Sequence, residues 1–399
     1  MLSQARFCCV VSFGLLGLGL SGCSDGPRVM PTNFPKPSNQ VVLIAHTTNS
    51  DINRLTISVT VCAPGTSDCQ TIDNIMVDTG SVGLRLQSSA MKSSFLPVKL
   101  LADGSQLGEC ELFGGGDAWG MVSLADVQIG GAKAANMQVQ VIGSDSTRQP
   151  PSCRSGAHTS NGTLGIGIGN TDCKDLCTMP ALYTTIGSVY RFFSCSSTSC
   201  TGIRGNIPAA DQLPNPTAVL DGGIYNGAVL DLPAVPGGAA DQVVGTLTFG
   251  VNTSTDNMLT GASFVALNDS GNFTTEFNGT SFPSSYIDSG TEYYGVASSI
   301  FTPCNPRAPY GSFCVSPVSA QSATIVGDDN YDVPFHVGIY PQNGVSDGAA
   351  AYGGAGSQGF VWGAPFFFGK RVAVVRRGQT VGLVNKTGPL YAWQPTTLQ

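Results

Sequence analysis

Two short segments with the same order of residue types, one in each half of the chain, constrain the fold of this 399-residue protein most strongly. They span residues 74–81 and 285–291, and in each an apolar stretch leads into Asp, a small hydroxyl residue, Gly and a second hydroxyl residue. Glycine permits a tight turn close to a carboxylate, and the hydroxyl groups can hydrogen-bond its oxygens. One such turn is ordinary chemistry. Two of them, 210 residues apart, predict that Asp78 and Asp288 are held in equivalent positions.

The composition predicts a β-rich globular body around these segments. The chain has 51 Gly, 24 Pro and only 11% charged residues, where about 25% is usual, and this argues against a helical bundle or a coiled coil. With 42% hydrophobic residues it is not a disordered acidic chain. Short apolar runs at 41–45, 55–61 and 75–77, separated by turn-rich sequence, predict strands. The net charge of −7 and the thinly spread basic residues argue against nucleic-acid binding.

The N-terminus predicts export and a lipid anchor. Residues 1–22 have a short positive start and an apolar core at 7–20, as in signal peptides, and this core is too short for a comfortable membrane span. The sequence Leu-Ser-Gly-Cys that ends at Cys23 resembles the lipobox of bacterial lipoproteins, which implies cleavage before Cys23 and lipidation of its thiol. Ser24 resembles the pattern sent to the outer membrane. Residues 23–40 are then the lipidated Cys and a Pro-rich tether; the alternative is a plain secretory signal with an incidental Cys.

The cysteines fit the same compartment. Of thirteen, Cys8, Cys9 and Cys23 belong to the N-terminal segment, and ten remain. An even number in an exported chain predicts five disulfides. Short spacings favour the pairs 62–69, 173–177, 195–200 and 304–314 and leave 110–153, although other connectivities stay open. A zinc site is the rival interpretation of 173–177, but no second close pair of Cys or His accompanies it, so we expect no metal.

At the two Asp segments the chain resembles the pepsin-like aspartic peptidases, in a divergent bacterial lipoprotein branch close to an uncharacterised family of secreted bacterial proteins. The resemblance extends from about residue 41 to residue 393. Further matching segments are a flap-like hairpin at 113–122 with a strand at 126–131, an apolar-Gly element at 162–167, its second-half partner at 360–367, a strand at 246–250 and a closing strand at 381–383.

The resemblance implies an all-β, bilobal acid protease fold, with a cleft between pseudo-twofold-related lobes of 41–245 and 246–399. It implies an aspartic endopeptidase with Asp78 and Asp288 as the catalytic dyad, acting on a peptide or protein substrate without metal or other cofactor. We expect a monomer held at the bacterial cell envelope, at the outer membrane. The residues implied to support the dyad are Thr79, Gly80, Ser81, Ser289, Gly290, Thr291, Gly165 and Gly363, and those implied to line the flap and substrate cleft are Phe113, Gly114, Gly115 and Glu292.

The chain departs from the family pattern at several positions. Phe113 stands where the flap usually has Tyr, so a hydroxyl is lost unless Trp119 or another group compensates. Arg85 replaces a large apolar residue. Ala364 replaces a common Asp near the dyad, which predicts a higher pH optimum. Glu292 either favours a basic substrate side chain or is a solvated loop carboxylate.

These departures keep a second function open. No pro-segment is evident before the first predicted strand, whereas zymogens of the family usually have one. Together with Phe113, this leaves a catalytically inactive scaffold that binds peptide or protein in the cleft as the alternative to a peptidase.

Overall fold

A computed structural model describes the chain from residue 39 to residue 398, with gaps. The described ranges are 39–48, 51–92, 95–113, 116–153, 156, 159–173, 191–203, 207–297, 299–305, 311–338, 344–352 and 359–398. The predicted signal peptide, Cys23, Gly114, Gly115 and Cys177 lie outside them. Within them, no helix is long and apolar enough to cross a bilayer.

The first half of the described chain consists of strands joined by turns, as its short apolar runs predict. In β2 and β3 the buried positions partly alternate with exposed ones, because successive side chains of a strand point to opposite faces. The strands are β1 Gln40–Thr48, β2 Asp51–Cys62, β3 Cys69–Asp78, β4 Val82–Gln87, β5 Gln106–Phe113, β6 Gly116–Ile129, β7 Ala132–Ile142, β8 Gly162–Ile166, β9 Phe192–Cys195, β10 Cys200–Gly202, β11 Gly227–Leu232, β12 Ala239–Ala240 and β13 Gln242–Phe249.

The second half has the same character. Its strands are β14 Ser263–Ala266, β15 Phe273–Phe277, β16 Thr280–Ile287, β17 Tyr294–Val296, β18 Gly311–Ser312, β19 Ser319–Val326, β20 Tyr331–Val337, β21 Val345–Ser346, β22 Ala350–Tyr352, β23 Val361–Trp362, β24 Lys370–Val375, β25 Thr380–Val381, β26 Lys386–Thr387 and β27 Leu390–Pro395. Among described residues the one α-helix is α1, Pro216–Val219, and the 3₁₀ turns are Ser88–Ala90, Ser146–Arg148, Ala209–Asp211, Leu220–Gly222, Pro236–Gly238, Thr255–Asn257 and Ala364–Phe367.

Two large sheets contain most of these strands. The first has the order β10-β9-β5-β6-β7-β4-β8-β3-β2-β1-β13-β11-β24-β27-β14, and the second β18-β22-β17-β23-β16-β15-β19-β20. Strand β1 pairs with β2 on one side and with β13 on the other, so the first sheet joins the two halves of the chain. Strand β13 spans the lobe boundary expected after residue 245, and that boundary stays a prediction.

Each half contains the same three-strand unit around its Asp. Strand β3 runs parallel to β8, which pairs antiparallel with β4. Strand β16 runs parallel to β23, which pairs antiparallel with β17. The strand leading into Asp and the strand leaving its turn therefore flank one crossing strand in both halves. This repetition follows from the two matching sequence segments and confirms the all-β prediction.

The core of the second half is aromatic. Phe360 and Trp362 stack with ring centroids 4.6 Å apart, and Phe335 meets both edge-on. The Trp362 indole N–H donates to the Thr275 hydroxyl at 3.0 Å, which satisfies the one polar atom of this buried ring. The backbone around residue 363, behind Asp288, thus rests on a tightly packed base.

Four of the five predicted disulfides are present: 62–69, 195–200 and 304–314, which short spacing favoured, and 110–153, which was the remaining pair. Cys173 is also disulfide-bonded, and its favoured partner Cys177 lies outside the described residues. The closing strand expected at 381–383 is misplaced. Val381 ends the short strand β25, and Leu383 is exposed. The last strand of the first sheet in chain order is β27.

Candidate active site

Asp78 and Asp288 end the two equivalent strands. Asp78 is the last residue of β3 and pairs with Gly165 of β8. Asp288 directly follows β16, and its N–H donates to the Trp362 carbonyl at 3.0 Å. Asp78 is buried and Asp288 is partly exposed. Both carboxyl groups are therefore fixed by rigid sheet backbone.

The residue after each Asp binds the opposite half. The Thr79 N–H donates to the Ser289 hydroxyl at 3.0 Å, and the Ser289 N–H donates to the Thr79 hydroxyl at 2.9 Å. The hydroxyl of Ser289 also donates to the Val77 carbonyl at 2.7 Å, and that of Thr79 to the Ile287 carbonyl at 3.3 Å. All four bonds are buried. Buried hydrogen bonds are costly to break one-sidedly, so this crossed arrangement holds the two Asp turns against each other.

Each carboxylate receives the same two donors from its own turn. Asp78 accepts from the Gly80 N–H at 2.8 Å and from the Ser81 hydroxyl at 2.5 Å. Asp288 accepts from the N–H of Gly290 at 2.9 Å and from the hydroxyl of Thr291 at 2.6 Å. The structure therefore brings together the two aspartates and the six turn residues that the sequence singled out.

Glycine suits four positions here because other atoms occupy the space that a side chain would take. A Cβ on Gly80 would lie 2.8 Å from Oδ1 of Asp288, and one on Gly290 would lie 2.8 Å from Oδ1 of Asp78. Each turn thus backs onto the opposite carboxyl. At Gly165 and Gly363 a Cβ would meet backbone atoms at 2.5 and 2.0 Å. These two glycines let the crossing strands approach the Asp turns closely.

The environment of Asp288 favours its protonated form. Burial, and then the nearby Asp78 carboxylate, raise the pKa of Asp288 to about 8, although the Thr291 hydroxyl and the Gly290 N–H act in the opposite direction. The side chains of Asp78 and Asp288 also hydrogen-bond each other. Two like charges this close cannot both form cheaply, so the pair retains one proton into the neutral range.

Phe113 and Trp119 lie on opposite faces of the described part of the flap-like hairpin. Phe113 ends β5, and its ring lies 5.7 Å from the guanidinium carbon of Arg85. Trp119 of β6 is buried against Phe193 and donates its indole N–H to the Asp145 carbonyl at 2.7 Å. Trp119 therefore does not replace the missing hydroxyl at position 113; the group beside Phe113 is Arg85.

The Glu292 carboxylate is mostly buried and is paired with a cation. Its carboxylate lies 2.8 Å from the Arg54 guanidinium, which also pairs with Asp51 at 2.5 Å, and its side chain is only 16% exposed. Arg54 donates as well to Met76, two residues before Asp78 on the same strand face. A basic substrate side chain would thus have to compete with Arg54 for Glu292.

Sequence reasoning missed Arg54 and its neighbour Asn53. The Asn53 amide donates to the carbonyls of Glu292 at 2.8 Å and Ser346 at 2.9 Å, and accepts from the Ser346 N–H at 2.7 Å. Asn53 adopts a left-handed conformation (φ 52°), which Asn tolerates better than most residues. Arg54 and Glu292 are 238 residues apart, and no local pattern marks either as a partner of the other.

Ala364 is buried, and its N–H donates to the Thr291 carbonyl at 2.7 Å.

Comparison with known proteins supports the fold. The crystal structure of an aspartic proteinase from Irpex lacteus is similar to this chain, with a TM-score of 0.52 and 16% sequence identity; the match covers 90% of this chain and 97% of that one. At this identity the similarity shows the fold alone, and it confirms the predicted bilobal, pepsin-like all-β architecture.

Sequence comparison gives the family. No curated protein matches the chain. A protein-family model described as "Protein of unknown function (DUF3443)" matches residues 35–393, which is nearly the whole described region. The chain, with its paired Asp turns on a pepsin-like fold, is a member of this family.

Proposed function

We propose that the chain is an aspartic endopeptidase in which Asp78 and Asp288 together activate water. One observation carries the proposal: two hydrogen-bonded carboxyl groups receive equivalent donors from turns that are locked to each other. Such a pair combines an ionised and a protonated carboxyl at the same point. The similarity to an aspartic proteinase supports this function at the level of the fold.

The chemistry follows from the shared proton. The ionised carboxyl removes a proton from a water molecule, whose oxygen adds to the carbonyl carbon of the peptide bond. The protonated carboxyl gives its proton to the carbonyl oxygen, so a neutral gem-diol forms and the dyad still holds one proton. Transfer of a proton to the amide nitrogen and loss of one from a diol hydroxyl then break the C–N bond. The products are a carboxylic acid and an amine, and the dyad returns to its starting state.

The raised pKa of Asp288 sets the expected pH range. Hydrolysis needs one proton on the dyad, and that proton is lost as the pH rises through about 8. We therefore expect cleavage to continue at neutral pH and to fall above about 8. This agrees with the higher pH optimum expected from Ala364.

The test is proteolysis by the purified full chain in detergent. A denatured protein substrate would be incubated with it from pH 3 to 9, with a statine-type inhibitor, a serine-directed inhibitor or a chelator in parallel, and fragments would be identified by mass spectrometry. We expect internal cleavage that only the statine-type inhibitor abolishes. Cleavage that resists statine but stops with either other reagent would contradict the dyad mechanism.

A folded chain that cleaves nothing at any pH would overturn the peptidase proposal. In that case the alternative is an inactive scaffold that binds peptide in the same place. Pull-down of denatured peptides by this folded but inactive chain, competed by the statine-type inhibitor, would then support the scaffold.

We also propose that Cys23 is lipidated and anchors the domain to the bacterial envelope, at the outer membrane. The support is the lipobox-like sequence before Cys23 and the Pro-rich stretch that separates it from β1. In a bacterial host fed a clickable palmitate, the chain should be labelled and Cys23→Ala should not. Cys9→Ala, which changes a cysteine inside the predicted signal peptide, is the matched control and should keep the label. An unlabelled wild-type chain released without lipid would favour a plain secretory signal.

A further inference from the structure

Arg85 is fully buried among three carboxylates. It lies in β4, and its Nη2 atom is 2.8 Å from Oε1 of Glu109, 2.6 Å from Oε2 of Glu111 and 3.0 Å from Oδ2 of Asp172. Its Nη1 donates to the Val82 carbonyl at 2.6 Å, which fixes the guanidinium against its own strand. A buried arginine is stable only when charges and hydrogen bonds compensate it, and these carboxylates supply both.

The partners of Arg85 lie on the flap-like hairpin and on the chain that leaves the Asp78 unit. Glu109 and Glu111 are two residues apart in β5, so they share one face, and Phe113 continues that face at the end of the strand. Asp172 follows β8, the strand that lies between β3 and β4. Arg85 therefore ties the β5–β6 hairpin to the three-strand unit that carries Asp78.

A second arginine completes the cluster. Arg191 pairs with Glu111 and lies 3.7 Å from both Glu109 and Asp172. The charged groups that face one another here are Arg85 from β4, Glu109 and Glu111 from β5, Asp172 after β8 and Arg191 before β9; from β7 comes only the neutral amide of Gln140, which donates to the Glu109 carbonyl. Because both guanidinium groups bond these carboxylates, the acidic trio is not a free set of metal ligands.

The charges of this cluster cancel only if one of its carboxyl groups is protonated. Two cations face three acids, so a neutral cluster requires one protonated carboxyl. Burial and the adjacent Glu109 raise the pKa of Asp172 well above its usual range, and the two side chains hydrogen-bond each other. Oε2 of Glu109 is buried and has no N–H donor among the described residues. This is expected if Asp172 is protonated and its carboxylic O–H donates to Glu109.

We propose that Arg85 is a positioning residue, which fixes the β5–β6 hairpin beside the Asp78 strand for as long as Glu109 and Asp172 share a proton. The proposal rests on the proposed peptidase function for its meaning, because a hairpin over the cleft would hold substrate at the dyad and exclude water. The aromatic ring of Phe113 lies 5.7 Å from the guanidinium carbon of Arg85, so the end of β5 packs against the same arginine.

The expected behaviour is a pH-dependent hairpin. When the pH rises until Asp172 ionises, a net negative charge is buried, and the carboxylates of Asp172 and Glu109 lose their shared hydrogen bond and repel each other. The hairpin should then open more often, while strands remote from the cluster should not.

The experiment measures amide hydrogen exchange in the full chain from pH 5 to 9, corrected for the intrinsic rate at each pH. Peptides from 106–129 report on the hairpin, and peptides from 319–337 report on the distant pair β19–β20. In the wild type we expect hairpin protection to fall at least tenfold across this range while the distant peptides keep theirs. A hairpin whose protection does not change with pH would overturn the proposal.

Two variants test whether ionisation of the cluster, rather than a general loss of stability, lowers the protection of the hairpin. Asp172→Asn cannot ionise and keeps a hydrogen-bond donor toward Glu109, so its hairpin should stay protected at pH 9. Should that variant not fold, Glu111→Gln serves instead, because it leaves two acids against two cations and Asp172 can ionise without leaving a net charge. The matched control is Asp68→Asn, which removes an exposed carboxylate paired with Lys92 and should behave as the wild type. Loss of protection at high pH in a folded Asp172→Asn or Glu111→Gln protein, as large as in the wild type, would contradict the proposal.

The proposed peptidase function and the proposed role of Arg85 can fail separately. Cleavage by a chain whose hairpin protection is independent of pH would overturn the role of Arg85 and leave the peptidase function. A pH-dependent hairpin in a chain that cleaves nothing would overturn the peptidase function and leave the role of Arg85 as a property of the fold.

Discussion

Asp288→Asn is expected to lower kcat/KM for peptide hydrolysis by about 10³-fold, the typical contribution of a positioned acid–base group. Asn has the shape of Asp and can still accept from the Gly290 N–H, which now lies 2.9 Å away, so the turn should persist. What is lost is the exchangeable proton of the dyad. Steady-state kinetics at pH 5 and pH 7 on a fluorogenic peptide chosen from the cleavage map would measure the loss, and Asp78→Asn should lose as much.

The same substitution should raise the melting temperature at neutral pH. In the folded chain the pKa of Asp288 is raised to about 8, whereas an unfolded Asp titrates near 3.9. Between these values the unfolded state releases a proton that the folded state keeps, so Asp288 costs stability that grows by about 1.4 kcal/mol per pH unit above roughly pH 4. Asn does not titrate and carries no such cost.

Calorimetry at pH 4 and pH 7 would measure this difference. Asp288→Asn and the wild type should melt at similar temperatures at pH 4, and the variant should melt higher at pH 7. Asp328→Asn, which removes an exposed carboxylate paired with Lys386, is the control and should show no such gain. A gap of equal size at both pH values, or hydrolysis that survives in Asp288→Asn, would contradict the assignment of this carboxyl to the dyad.

Gly290→Ala is expected to lower kcat by about 10²-fold while the chain stays folded. The added Cβ would lie 2.8 Å from Oδ1 and 2.9 Å from Cγ of Asp78, so that side chain has to rotate away from Asp288. A displacement of about 1 Å in a catalytic group is enough for a loss of this size. The backbone of Gly290 is not left-handed, so Ala itself introduces no strain there. Gly80→Ala should act in the same way on Asp288.

Gly382→Ala is the matched control for these variants. Its Cβ would meet no atom within 4 Å, and its backbone is likewise not left-handed. Kinetics and melting temperatures of the three variants would be compared at pH 5. An active Gly290→Ala protein would show that the carboxyl groups do not need their present contact. Equal losses of activity in Gly382→Ala would show that the effect is not specific to the dyad.

The sequence predicted most of the arrangement around each aspartate. Asp78 takes its donors from Gly80 and Ser81, within three residues along the chain, and a short motif can encode such contacts by itself. Three of the four described disulfides were favoured by short spacing and close over ten residues or fewer, for the same reason. The closing strand was misplaced because 381–383 and the strand β27 are both apolar, and only pairing with β24 distinguishes them.

The surroundings of Arg85 and Glu292 were not predicted. Arg85 stood out only as a departure from the family pattern, and its partners lie 24, 26 and 87 residues away. Glu292 was expected to face a substrate or solvent, yet its partner Arg54 comes from β2. The charge of a single residue says nothing about which opposite charge the fold will bring to it.

By itself, then, the sequence determined the β-rich fold and the two Asp turns, because alternating strands and tight turns depend on neighbours a few residues apart. Only the tertiary structure decided what those turns meet. It buried the two carboxyl groups and brought them into contact, which raises the pKa of Asp288, and it buried Arg85 among carboxylates from β5 and from the chain after β8. Ionisation inside a protein depends on distances through space and on burial, and both arise only when the two halves of the chain pack together.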